Sequence, residues 1–174
     1  MKEIEVKLTY THKKKVIARL QEIGAVFREK YTLEDSYFSL TGKDMSNTHD
    51  LLRVRKKGNK QELTFKGKCE TQGNIWERVE LTTEIGDAEA VLQMFEHLKF
   101  HKLSKSKSSR EFWDINDVEV VFTEITSPAK ISFIEIEGPT KEQVESILKL
   151  LGNLVKEAGE ELFKTLDEAR KKTN

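Results

Sequence analysis

The sequence predicts an α+β domain in which many antiparallel strands, interrupted by few helices, form a sheet that must either expose one face or close on itself. Three observations lead there. Short stretches of strict apolar/polar alternation recur along the chain. Helical spacing of apolar residues is confined to a few segments. The 174 residues suffice for one core and are too few for two ordinary domains, so residues 1–174 are treated as a single domain.

Residues Lys2 to Leu8 alternate strictly, with Glu3, Glu5 and Lys7 on one side and Ile4, Val6 and Leu8 on the other, the period of a strand. Thr11 is a plausible N-cap for a helix carrying Val16, Ile17, Leu20 and Ile23 before Gly24 at its C′ position. Strands are expected at Ser36 to Leu40, Leu51 to Lys56 and Gln61 to Lys66, the last two joined as a hairpin through Lys57-Gly58-Asn59-Lys60. Ile75 to Ile85 is a further strand. Gly86-Asp87 opens a helix with Val91, Leu92, Phe95 and Leu98 on one face, ending near Lys99.

Alternation returns at Leu103 to Ser106, Glu111 to Ile115, Val118 to Ile125 and Ile131 to Glu137, while Lys102 to Ser109, with its alternating Lys and Ser, reads as a strand edge or loop. Thr140 and Gln143 form a capping box for a helix from Lys141 to Leu151, closed by Gly152, and Val155 to Lys172 also reads as helical. Pro128 and Pro139 fall between elements, where a missing N–H does little harm.

Thirty basic and thirty acidic side chains cancel, which argues against a nucleic-acid binder, since that work normally leaves a basic surplus. No stretch approaches the roughly 18 apolar residues of a membrane span. The N-terminus MKEIEVKL has neither an apolar h-region nor a small-residue cleavage site, so a cytoplasmic setting is expected. The single cysteine, Cys69, lies in a polar run and reads as a loop thiol.

Several strands carry charge on one parity: Glu3, Glu5 and Lys7; Arg53 and Arg55; Glu62 and Lys66; Glu135 and Glu137. Two arrangements fit this pattern. A half-buried sheet turns such charges to water and pairs them across strands. A barrel built the other way turns them inward and covers its aliphatic face with amphipathic helices. The second arrangement has a specific use. A triphosphate carries about four negative charges and calls for convergent Arg and Lys donors, and paired glutamates beside them make sense if they hold Mg²⁺ or Mn²⁺.

Five motifs in order resemble the CYTH superfamily of class IV adenylate cyclases, thiamine triphosphatases and inorganic triphosphatases. Glu3-Ile4-Glu5-Val6-Lys7 matches its E-x-E-x-K signature, Leu52-Arg53-Val54-Arg55 its L-R-x-R strand, and Leu63-Thr64-Phe65-Lys66 its L-T-x-K strand. Arg110-Glu111-Phe112-Trp113 is similar to R-x-x-Y/W, and Phe133-Ile134-Glu135-Ile136-Glu137 to F-x-E-I-E.

The resemblance implies a closed antiparallel eight-stranded β-barrel, a tunnel flanked by helices, with a small-molecule triphosphate as partner and Mg²⁺ or Mn²⁺ as cofactor. It implies that Lys7, Arg53, Arg55, Lys66 and Arg110 bind the substrate and that Glu3, Glu5, Glu135 and Glu137 coordinate metal, with Glu80 a further candidate and Glu3, Glu5 and Lys7 closest to the chemistry. Trp76 stands where the family strand begins with Arg, and Thr123 where it has Asp; Lys105 or Lys107 could supply the second basic position near Arg110. The implied activity is a metal-dependent phosphohydrolase of a nucleoside, thiamine or inorganic triphosphate. A class IV adenylate cyclase and a non-catalytic triphosphate-binding module are the alternatives, and a homodimer is left open.

Overall fold

The computed structural model describes residues 2–41, 50–72 and 75–159, with Leu162, Thr165 and Glu168; of residues 2, 3, 71 and 72 it describes the backbone alone. The alternating N-terminal stretch is β1 (Lys2–Tyr10). It is followed by α1 (Lys13–Glu22), β2 (Val26–Ser39), β3 (Leu51–Lys57), β4 (Lys60–Lys66), β5 (Glu70–Gln72) and β6 (Ile75–Glu84). Next come α2 (Ala88–His97), β7 (His101–Ile115), β8 (Val118–Ser127), β9 (Ile131–Gly138), α3 (Lys141–Leu151) and β10 (Val155–Glu157).

The strands pair in the order β1-β9-β8-β7-β2-β3-β4-β6, and β6 returns to pair with β1. Eight antiparallel strands therefore close into a barrel, flanked by α1, α2 and α3. The short strands β5 and β10 extend it along β6 and β1.

Closure settles which parity faces where. Val6 and Leu8 of β1, Val120 and Phe122 of β8, and Ile134 and Ile136 of β9 are fully buried against Val16 and Leu20 of α1 and Val144, Ile147 and Leu151 of α3. A second cluster joins Phe38 of β2 and Val54 of β3 to Ala88 and Phe95 of α2. The hydrophobic core thus lies outside the barrel wall, between wall and helices. At roughly 1.5–3 kcal/mol for each fully buried aliphatic or aromatic side chain, this core holds the charged parity turned inward.

The local signals hold in part. Asp87 accepts from the Ala90 amide at 3.0 Å, and Thr140 accepts from the Gln143 amide at 3.3 Å. The expected N-cap of the first helix is displaced: His12, not Thr11, precedes α1, and its side chain makes no capping bond. The second strand begins ten residues before Ser36, at Val26, and Lys102 to Ser109 is interior to the fifteen-residue β7, because the two long strands pair along nearly their whole length. Val155 to Glu157 is an edge strand on Leu8–Tyr10, not the start of a helix, since a 3₁₀ turn at Gly152–Leu154 redirects the chain and buries Val155 in the core. Leu162, Thr165 and Glu168 are helical, as expected; the rest of that segment from residue 160 onward lies outside the described residues.

Candidate active site

The inward parity gathers charge from every side of the barrel. Glu5, Asp35, Arg53, Arg55, Lys66, Arg78 and Glu135 are all buried, and Lys7, Glu80, Arg110 and Glu137 are partly so. In register, Glu5 of β1 stands opposite Glu137 of β9, and Lys7 opposite Glu135. Lys7 Nζ lies 2.5 Å from Glu5 Oε1 and 2.9 Å from Glu135 Oε1. Glu135 Oε2 accepts a 3.0 Å hydrogen bond from Thr123 and lies 3.7 Å from Arg110 Nη2. Thr123, at the position of a family Asp, thus donates to a carboxylate where an acid would repel it.

On the opposite wall Arg55 donates from Nε and Nη2 to the two oxygens of Asp35, and Arg53 donates from Nη2 to Thr64 at 3.1 Å. Lys66 pairs with Glu80 of the neighbouring β6. The electrostatics follow from burial against partners. Burial raises a carboxyl's pKa, but Lys7 and Arg110 outweigh it at Glu135 and hold that group well below the usual range. At Arg110 burial opposes the charge, and Glu135 outweighs it and keeps the guanidinium ionised.

Buried donors are left over on this face. Nε of Arg53 and Nε of Arg110 have no hydrogen-bond partner among the described residues. A buried guanidinium N–H without an acceptor is costly.

Of the residues expected at the site, the structure brings Glu5, Lys7, Arg53, Arg55, Lys66, Glu80, Arg110, Glu135 and Glu137 to the inner face. The side chain of Glu3 lies outside the described residues, although its backbone pairs with Arg78. Lys107 is a correction. It is exposed on the outer face and pairs with Glu34 at 2.7 Å, because it stands in register with Glu34, the strand neighbour of inward-facing Asp35. Lys105 pairs with Glu34 as well, at 3.2 Å.

Two inner residues went unread in the sequence, Asp35 and Arg78. Arg78 Nη2 lies 3.9 Å from Glu5 Oε1, and a buried cation thus stands two residues beyond Trp76 in the same strand. Its signal was its parity, shared with Glu80.

The pattern that defines the CYTH domain matches residues 1–173. The chain belongs to the CYTH family. A relative in Methanocaldococcus jannaschii, named as a putative adenylate cyclase, is 28% identical over 159 residues, 87% of this chain and 90% of that protein. Among solved structures the PH1012 protein of Pyrococcus horikoshii superposes with a TM-score of 0.73 at 25% identity, over 88% of this chain and 94% of that one. HpAC1 from Hippeastrum, described as having a dominant triphosphatase activity, superposes with a TM-score of 0.69 at 16% identity, over 90% and 91% of the two chains, a likeness of fold alone.

Among the described residues no group of three or more His, Cys, Asp and Glu side chains is placed to hold a metal ion; the side chain of Glu3 lies outside those residues. Lys7 and Arg78 lie against Glu5, which stands directly opposite Glu137 on the adjacent strand. The carboxylate oxygens of Glu5 and Glu137 are of the ligand type preferred by Mg²⁺ and Mn²⁺. No helix among the described residues is long and apolar enough to cross a membrane.

Proposed function

We propose that this chain is a divalent-metal-dependent phosphohydrolase acting on a small-molecule triphosphate, working as one domain over residues 1–174 in the cytoplasm. The observation that carries the reading is the convergence of Arg53, Arg55, Lys66, Arg78 and Arg110, interleaved with Glu5, Glu135 and Glu137, on the inner face of a closed barrel, with Arg53 Nε and Arg110 Nε buried without an acceptor.

In this reading Arg53, Arg55, Lys66, Arg78 and Arg110 take the phosphate oxygens, with guanidinium forks suited to bidentate contact. Glu5, Glu135 and Glu137, with Glu3 and Glu80, would hold Mg²⁺ or Mn²⁺, which when bound neutralises phosphate charge as a Lewis acid. A tunnel carboxylate orients water for in-line attack on phosphorus. The negative charge that develops on the leaving oxygen is stabilised by the fixed cations, which need no reorganisation at that moment.

A second reading is a class IV adenylate cyclase, in which the ribose 3′-hydroxyl attacks and pyrophosphate leaves. The Methanocaldococcus relative's name favours it. Incubation with ATP, thiamine triphosphate and tripolyphosphate, each with Mg²⁺ and with Mn²⁺, separates the readings by product. Orthophosphate release supports hydrolysis, and cyclic AMP with pyrophosphate supports cyclisation. Tight binding of a triphosphate with no product over hours would leave a binding module and defeat both.

A further inference from the structure

Lys7 occupies oxygens that the proposed metal needs. Its ammonium sits between Glu5 Oε1 and Glu135 Oε1, at 2.5 and 2.9 Å, with the Trp76 ring 5.2 Å from Nζ. Glu135 Oε2 accepts from Thr123, and Oε1 faces the Lys7 ammonium. Burial alone would lower the pKa of Lys7, but Glu135 and Glu5 outweigh it and keep the group charged. An ammonium and a divalent cation drawn to the same two oxygens, Glu5 Oε1 and Glu135 Oε1, repel each other at close range, so metal binding there disfavours Lys7 in its present place.

We propose that Lys7 is the internal counter-ion of the metal seat: it holds Glu5 and Glu135 while the tunnel is empty and leaves them when a divalent cation enters, freeing its ammonium for the phosphate chain. The proposal rests on the metal-dependent reading above. Its consequence is coupling. Metal arriving alone must displace Lys7 with nothing to receive the ammonium, whereas metal arriving with a triphosphate gives it a new anionic partner, so the two ligands favour each other's binding.

The test is Mn²⁺ binding by calorimetry without any phosphate, using the wild-type protein, Lys7→Met, Lys7→Gln and Arg53→Met, with far-UV circular dichroism to verify the barrel. Both Lys7 variants are expected to bind Mn²⁺ at least about tenfold tighter than wild type, the effect of removing one charge-assisted bond that competes for the seat. Arg53→Met removes a tunnel cation bonded to Thr64 without vacating Glu5 or Glu135, and is expected to move the affinity far less.

No tightening in either Lys7 variant, or equal tightening in Arg53→Met, overturns the exchange while leaving metal binding by wild type intact. If wild type and variants all fail to bind Mn²⁺, even with tripolyphosphate added, the metal reading falls and takes the exchange with it.

Discussion

Arg55 grips Asp35 with two parallel bonds across β3 and β2, Nε to Oδ1 at 2.8 Å and Nη2 to Oδ2 at 2.9 Å. Both side chains are buried, so the pair holds the guanidinium in one orientation on the tunnel wall. Burial would raise the Asp35 pKa, but the bonds and charge of Arg55, with the charges of Arg53 and Arg110, outweigh it and push the group below its ordinary value of 3.8. The unfolded chain therefore binds the proton more readily than the folded one. The stabilisation is complete above about pH 4 and is lost as pH falls through the folded value.

Asp35→Asn leaves Arg55 buried without its counter-charge and should cost about 3 kcal/mol at neutral pH. The gap in urea midpoint between wild type and variant should be wide at neutral pH and close in acid. A gap that stays constant into strong acid would show that the pair contributes no charge-dependent stability.

Arg53→Ala and Lys66→Ala should each weaken tripolyphosphate binding by about 1.5–3 kcal/mol while leaving the fold intact, because each removes a charged donor from a site that must solvate a polyanion. Arg78→Ala belongs with them. Calorimetry at fixed salt and metal measures the loss, and unchanged affinity in all three would remove these residues from the phosphate site.

Lys107→Ala should leave tripolyphosphate affinity within about twofold of wild type, since the lost interaction is an exposed ion pair with Glu34 on the far side of the wall. The Lys107 side chain is 59% exposed, too open for its charge to reach the tunnel unscreened. A drop as large as that of Lys66→Ala would mean that the outer lysines reach the ligand.

What could be read from the sequence was the period, and what could not was the direction. The alternation of Ile4, Val6 and Leu8 with Glu5 and Lys7 identified β1, but it is the same for a sheet with charges in water and for a barrel with charges inside. Only the pairing of β6 back to β1, together with helices covering Val6 and Leu8, separates the two. The five motifs pointed to the tunnel only through their resemblance to a family that has one, since the parity of their Arg and Glu fits either arrangement. Asp35 escaped because the second strand was read only from Ser36. The long pairing with β7 that extends it back to Val26 is a tertiary effect with no local signature. Val155 to Glu157 escaped for a related reason: a three-residue edge strand carries too few residues to show a period.

Glu5→Gln and Glu137→Gln test the acidic half of the site. The two side chains stand opposite each other in register, and an amide keeps the shape and one acceptor while losing the charge that a hard divalent cation requires. Each variant should lose turnover at ordinary Mn²⁺ concentrations. Metal-free affinity for tripolyphosphate should be retained or improved, because a negative charge has been removed beside the phosphate cations. Glu5→Gln has a second effect that Glu137→Gln lacks, since it also loosens Lys7, which pairs with Glu5 at 2.5 Å. The gain in metal-free affinity should therefore be larger in Glu5→Gln, where a freed ammonium joins the phosphate donors. Turnover measured against Mn²⁺ concentration, beside calorimetry without metal, separates the two effects. Near-normal turnover in both variants would make these glutamates structural members of the wall.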